Sequence, residues 1–295
     1  MNYTELKKAI RGYVENDFPT IVFNDSSTTF TSDEQLAVFV QQAEQRIYNS
    51  VQFPSLRRNV MASCSASNKY LQCPNDFLAP YSMAVYSYAT PTATGSSGAF
   101  TITVSNVTNI EPDQAVYGTG IGTGAKVVSL LNTVVTLSVA NSAAVSGTVT
   151  FQGRFYYLLN KDVNFIREAY PDPLFIGRPR HYAIFGPNLP ALPNELTFIL
   201  GPTPNLPYIA ELHYYYYPES ITTVASGRTW LGDNFDTVLL YGALQEGYTF
   251  IKAEPDMLAR LDTQYKEALG LAKRLGDGLE RQDAYRSGQV RYPVA

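Results

Sequence analysis

Sixty consecutive residues, 91–150, carry only three charged side chains, Glu111, Asp113 and Lys126. Twenty-eight of those sixty positions are Gly, Thr or Val. Apolar and polar residues alternate in Phe100–Val104, Lys126–Leu131 and Thr133–Val139, and Gly or Asn punctuates the runs every eight to twelve residues. A period of two with such spacing predicts a small antiparallel sandwich or barrel. Thr and Val suit it because both are stiff at χ1 and fit a pleated surface. The flanks, 89–98 and 147–153, are rich in Gly, Thr and Ser and resemble linker ends. The segment therefore reads as a domain inserted at the tip of a host hairpin, where loop-closure entropy makes insertion cheap.

On either side the rhythm changes, and the chain as a whole reads as α+β: a helical bundle with a β layer, interrupted by the all-β insert. Leu6, Ile10, Tyr13 and Val14 recur at helical spacing up to Phe18-Pro19. After a polar stretch from Asn24, Ser32 and Gln35 predict a capping box. Leu36, Phe39, Val40, Ala43 and Ile47 then form one apolar stripe on a helix ending before Pro54. Strand rhythm begins near residue 56, with Lys69–Leu78 as a short strand running into a turn and Met83–Tyr88 as another. Beyond the insert the host pattern resumes at Arg154, a short helix over 161–170 stops at Pro171-Asp-Pro173, and Tyr182–Phe185 reads as a strand. The turn Gly201–Pro207 predicts a hairpin between Glu195–Leu200 and Tyr208–Tyr217. Helices over 234–252 and from Pro255, with Leu258, Leu261, Tyr265, Leu269, Ala272 and Leu275 on one stripe, predict an αα-hairpin. After Gly276-Asp-Gly278 the pattern fades. The expected division is a discontinuous host of 1–90 with 151–275, an insert over 91–150 and an extended tail over 276–295.

Composition narrows the function. The 295 residues include 22 Tyr against a single Trp, and only 16% are charged. Such Tyr-rich, charge-poor surface suits contact with other proteins, because Tyr offers large contact area at low entropy cost. A net charge of −4 argues against a dedicated nucleic-acid binder, whose affinity comes from a basic face. The chain has no run of 18 apolar residues, so no membrane span is expected, and its first residues lack the apolar core of a signal peptide. Cys64 and Cys73 read as free thiols.

No catalytic constellation stands out, and neither cofactor nor metal is expected. The glycine run Tyr117–Lys126 has Ala125 where a Walker loop needs Gly, and Val127 where it needs Ser or Thr. A strand follows it, not the helix that a dinucleotide fingerprint requires. His181 and His213, with two Cys, do not make a spaced set of three or four metal ligands. Asp76, Glu168, Asp172 and Glu211 are candidates for a glycosidase pair but read as surface acids. In a strand, Tyr214, Tyr215, Tyr216 and Tyr217 would alternate, two inward and two outward. The outward pair would pack against a partner subunit or tail component, or stack on sugars.

The order of these elements carries a family resemblance. Leu231-Gly-Asp-Asn-Phe-Asp-Thr-Val-Leu-Leu-Tyr-Gly-Ala-Leu-Gln-Glu-Gly-Tyr-Thr-Phe-Ile-Lys, followed by Tyr265-Lys-Glu-Ala-Leu, resembles the C-terminal helices of head-to-tail adaptor (connector, or neck) proteins of tailed bacteriophages. The likeness covers most of 1–90 and 151–275. The insert, with Gly118-Thr-Gly-Ile-Gly-Thr-Gly-Ala-Lys-Val-Val-Ser, resembles small β modules of virion structural proteins. The resemblance implies a non-enzymatic virion component, assembled in the host cytoplasm. It would form a homo-oligomeric ring of about twelve copies between portal and tail, closed by a head-to-tail interface. Double-stranded DNA would pass through the lumen without specific binding. The tail, through Arg281, Tyr285, Arg286, Val290, Arg291 and Tyr292, would contact the portal protein. The β side would face a tail nozzle or tube protein, with tail fibres as possible partners of the insert. The alternative role is a carbohydrate- or receptor-binding tail module using the insert.

Overall fold

The computed structural model describes residues 1–23, 28–51, 53, 56–186 and 196–286. The chain begins with α1 (Tyr3–Val14), β1 (Ile21–Val22), β2 (Thr29–Phe30) and α2 (Ser32–Ser50). Next come β3 (Arg57–Ser63), β4 (Tyr70–Gln72) and β5 (Phe77–Tyr86). Residues 88–152 supply β6 (Tyr88–Ala89), β7 (Thr92–Gly95), β8 (Thr101–Val104), β9 (Ala115–Tyr117), β10 (Val127–Leu131), β11 (Val134–Leu137), β12 (Val145–Thr148) and β13 (Thr150–Gln152). Then follow β14 (Tyr156–Asn160), α3 (Val163–Ala169), β15 (Ile176–Gly177), β16 (His181–Phe185), β17 (Thr197–Gly201), β18 (Thr203–Pro204) and β19 (Ile209–Tyr216). Three helices close the chain: α4 (Trp230–Asn234), α5 (Asp236–Phe250) and α6 (Pro255–Arg286). The fold is α+β. Its two compact units are Met1–Arg57 with Tyr216–Ala295, and Arg58–Tyr215. The first division thus falls at 57/58 and 215/216, whereas the sequence pointed to 90 and 151.

The first unit is helical, with α1, α2 and α6 each packed on α5. Leu6, Ile10 and Val14 of α1 and Leu36, Phe39, Val40, Ala43 and Ile47 of α2 are buried, as their spacing requires. Phe18, Phe39 and Phe250 form an aromatic trio with centroids 5.3–6.4 Å apart. Gly242 lets α5 approach its neighbours: a Cβ there would lie 3.0 Å from the Ala43 Cβ and 3.3 Å from the Tyr265 ring. The N-cap of α2 is Thr31, one residue before the expected Ser32. The Glu34 carboxylate accepts from the Thr31 backbone N–H at 2.7 Å, and the Thr31 hydroxyl accepts from the Glu34 N–H at 3.3 Å. Ser32 instead donates to the Asp17 carbonyl at 2.6 Å. At the other end α6 runs through to Arg286, so the extended tail expected from 276 is helical over most of its length. Two glycines cost such a helix only about 1 kcal/mol each relative to Ala, and good helix formers such as Leu279, Glu280, Arg281 and Ala284 surround them.

The second unit is built on a seven-stranded sheet of order β3-β19-β5-β14-β16-β17-β4. β5 and β14, which flank the insert, pair antiparallel with Met83 opposite Leu158. β14 and β16 are parallel, and α3 makes the crossover between them. It packs Ile166 onto Ala183 and Ile199. The hairpin expected between the strands now labelled β17 and β19 does not form. β17 pairs with β16 and β4, while β19 lies between β3 and β5. The Gly201–Pro207 segment is not a tight turn, because Thr203-Pro204 forms β18 and pairs with β15. Strand β5 also starts earlier than expected, at Phe77, and breaks at Ser87 rather than continuing to Tyr88.

Residues 88–152 form a five-stranded sheet, β10-β11-β8-β7-β12, and a three-stranded one, β6-β13-β9. They join at one corner through the bridge between Ala115 and Lys126, and at the other where β12 continues into β13. Thirteen buried residues fill the interior, all apolar, with Val135 and Phe151 wholly inaccessible.

Candidate interaction site

The tyrosine run straddles the division between units, so its four members divide by environment and not by strict alternation. Tyr214 is 1% exposed and donates to Asp76 Oδ1 at 2.8 Å. Asp76 is in turn paired with Arg58 at 2.7 Å, and the Tyr214 ring stacks on Phe77 at 5.9 Å. Tyr215 meets Tyr81 edge-on at 6.0 Å. Tyr216 ends β19, and Tyr217 lies beyond it, 37% exposed. There its hydroxyl donates to Asn49 Oδ1, and its ring lies 6.5 Å from that of Tyr48. Only Tyr214 is fully buried, so the expected two-in, two-out pattern does not hold. The second inward position, Tyr216, is the last of the strand and is only half-buried.

Tyr217 opens onto a cavity of 220 Å³ lined by Gln41, Glu44, Gln45, Tyr48, Pro218 and Ser220. Glu44 is 3% exposed and accepts a hydrogen bond from the Ile221 N–H at 3.0 Å. Burial raises its pKa above the ordinary glutamate range, against the opposing hydrogen bonds from Ser220 and Ile221. The same burial, with Glu44 and Tyr216 nearby, holds the Tyr48 phenol protonated. Among the described residues no cation pairs with Glu44. Sequence reasoning missed this group, although its signal was present: an acid lying within the buried stripe, four residues after Val40 and three before Ile47.

The opposite flank of α2 is already occupied. Arg46 donates to Gln245 Oε1 at 2.7 Å, pairs with Glu246, and holds its guanidinium 5.8 Å from the Tyr265 ring centroid on α6. Gln245 passes the connection on to Asp262 at 3.2 Å.

In the second unit the insert is fastened to the large sheet by polar contacts. Buried Gln114 donates to Ser87 Oγ at 2.7 Å and to the Asn109 carbonyl at 2.6 Å. Asn109 donates to the Pro207 carbonyl at 2.8 Å. Arg178 lies 3.9 Å over the Tyr156 ring and pairs with Glu111 at 3.3 Å. Two open cavities of 520 and 480 Å³ flank Tyr170, whose hydroxyl is 2.7 Å from His181 Nδ1. Burial, with Lys161 and Arg180 nearby, lowers the His181 pKa, which leaves the ring neutral at pH 7.

The four candidate acids are not drawn into one site by their hydrogen bonds. Asp76 serves Tyr214 and Arg58, and Glu211 accepts from Asn59 at 2.9 Å, with His213 3.0 Å from the same amide. Asp172 accepts from the Leu174 N–H at 2.8 Å, and Glu168 is exposed on α3. Cys64 and Cys73 are buried free thiols, and burial pushes Cys64 up to about 11. Among the described residues no group of three His, Cys, Asp or Glu is placed to hold a metal, and no helix is long and apolar enough to cross a membrane. Of the expected portal contacts, Arg281, Tyr285 and Arg286 fall on the last turns of α6, while Val290, Arg291 and Tyr292 lie outside the described residues. Residues 24–27 and Pro54 lie outside them as well.

Compared with protein-family models, the chain matches the SU10 adaptor protein family over residues 1–292. No individual curated protein matches it significantly. The chain belongs to the SU10 adaptor family and is a phage adaptor-type protein, a virion component with a head–tail adaptor role.

Proposed function

We propose that this SU10 adaptor joins capsid to tail as a ring of copies, about twelve, seated beneath the portal and enclosing the genome channel. It works by shape and adhesion and makes or breaks no bond. The observation that carries the reading is the family match along essentially the whole chain. The helical unit supports it with a long helix whose outer face, at Leu271 and Leu275, is exposed. α6 has 32 residues against 15 in α5, so at about 1.5 Å per residue it outruns that partner by roughly 25 Å. The end of α6 and the residues after it are the proposed portal contact. Net negative charge suits a lumen through which DNA must slide without sticking.

The insert is proposed as a separate module, added for a further tail contact such as a fibre. Its β10–β11 hairpin exposes Val128, Leu131 and Val134 and contains no charge between Val127 and Leu137. An apolar tip favours a protein partner over a sugar.

Electron microscopy of the purified protein, alone and mixed with its portal, tests the reading. Rings, or copies that assemble only on portal rings, are expected. A persistent monomer with no affinity for the portal would refute it, and so would tight DNA binding at physiological salt. Replacing 92–150 with a short Gly/Ser bridge is expected to leave assembly intact.

A further inference from the structure

Glu44 presents a physical problem inside one copy. A carboxylate 97% removed from solvent is costly unless a cation or several donors compensate it. Here the described residues supply the Ile221 N–H and the Ser220 side chain, and no cation. The group nevertheless lines a cavity that remains open beside Tyr48 and Tyr217. At 220 Å³ the cavity is smaller than the ~300–1,000 Å³ of small-molecule sites. It is matched to a single side chain. Two aromatic rings beside a buried acid suit a planar guanidinium, which stacks and donates at once.

The position of the cavity fits a ring. Successive helical residues turn by about 100°, so Glu44 and Tyr48 lie on one flank of the buried stripe of α2 and Arg46 on the other. The Arg46 flank is the one that meets α6 within the copy. The Glu44 flank is therefore open to a neighbour that approaches with its own α6. On the exposed face of α6, Arg260 and Arg274 stand fourteen residues apart, with Glu267 and Leu271 between them. Neither arginine has an ion-pair partner among the described residues. We propose that the Glu44–Tyr48–Tyr217 cavity is the acceptor of the ring interface and receives an arginine, Arg260 or Arg274, from α6 of a second copy. The contact is heterologous, acceptor flank to donor helix, and repeats around a closed ring. This rests on the ring reading above.

The test uses full-length protein under conditions where the wild type forms rings, alone or on portals. Glu44→Gln keeps an acceptor for Ile221 but removes the charge. It is expected to raise the protomer concentration needed for half-assembly about tenfold or more, with the circular dichroism of the protomer preserved and its melting temperature no lower than that of the wild type. The double variant Arg260→Glu/Arg274→Glu, on an exposed face, is expected to abolish rings while folding normally. Mixing the two variants should give dimers that grow no further, since one live acceptor meets one live donor only once. Tyr217→Cys with Arg260→Cys or Arg274→Cys should form a disulfide between copies in at least one pairing. Rings of normal stability from both charge variants would overturn the proposal while leaving the ring reading standing. Cross-links that run only to the portal would overturn the choice of occupant. Absence of rings from the wild type, with or without portal, would bring down the ring reading itself.

Discussion

The helical unit and the β segment of residues 88–152 bury their cores in different ways. The β segment packs thirteen apolar side chains within about sixty residues, with Asn109, Gln114 and Asn141 buried beside them and bonded mostly to nearby chain. The helical unit is assembled from the two halves of the chain. Tyr248 donates to the Tyr13 carbonyl across 235 residues, Arg46 to Gln245 across 199, and Ile221 to Glu44 across 177. It also keeps Gln35, Glu44 and Gln245 buried. The difference is one of sequence separation: the β segment is held by contacts between near neighbours in the chain, whereas the helical unit forms only when both chain segments are present.

The largest expected effect tests whether the β segment is separable. Phe151 is wholly buried at its centre, and Phe151→Ala should cost about 3–5 kcal/mol. Calorimetry should then show a low-temperature transition for the insert, with the helical unfolding unchanged. One merged transition, shifted as a whole, would mean the two regions are one cooperative block. The converse experiment places the strain in the helices. Gly242→Val forces a branched side chain against Ala43 and Tyr265, with an expected loss of about 1–3 kcal/mol confined to the helical transition. An effect of similar size concerns the seam. Gln114→Leu removes the donor to Ser87 and the Asn109 carbonyl, at about 1–3 kcal/mol. Hydrogen exchange should rise along β6 and β13, while the β10–β11 hairpin keeps its protection.

Much of this contrast could be read from the chain, but not all. The β character of 91–150 is legible in three alternating runs, Phe100–Val104, Lys126–Leu131 and Thr133–Val139, whereas β12, buried only at Val145, gives no such rhythm; α2 and the αα-hairpin are legible from their stripes. The β17–β19 pairing was misread because adjacent strands with a proline-rich link look like a hairpin, whereas β18 diverts the chain and β19 crosses to the far half of the sheet. The cap of α2 moved by one residue because Thr31–Glu34 and Ser32–Gln35 are both valid boxes, and Ser32 is taken by Asp17. As for the candidate site, Tyr217 was visible and Glu44 was not. An acid in an apolar stripe gives away its burial, but its missing cation shows only when residues 41–48 and 217–221 are brought together.

The smallest expected effect is also the most discriminating, because it has opposite signs in the protomer and in the ring. The raised pKa of Glu44 means that the folded protomer binds a proton more tightly than the unfolded chain does. Its contribution to stability is therefore fully present below the ordinary glutamate range and is lost as pH rises through the elevated folded value. In the isolated protomer, Glu44→Gln should abolish that pH dependence and raise the melting temperature at pH 7, because it removes a buried charge that lacks a cation. In the ring, where an arginine from the neighbour compensates the charge, the same substitution should weaken assembly. The wild-type ring should also loosen in mild acid, as Glu44 takes up a proton and releases its partner. Melting curves of protomer and ring between pH 5 and 8 make the comparison. A substitution that destabilises both states alike would show that Glu44 is compensated within one copy.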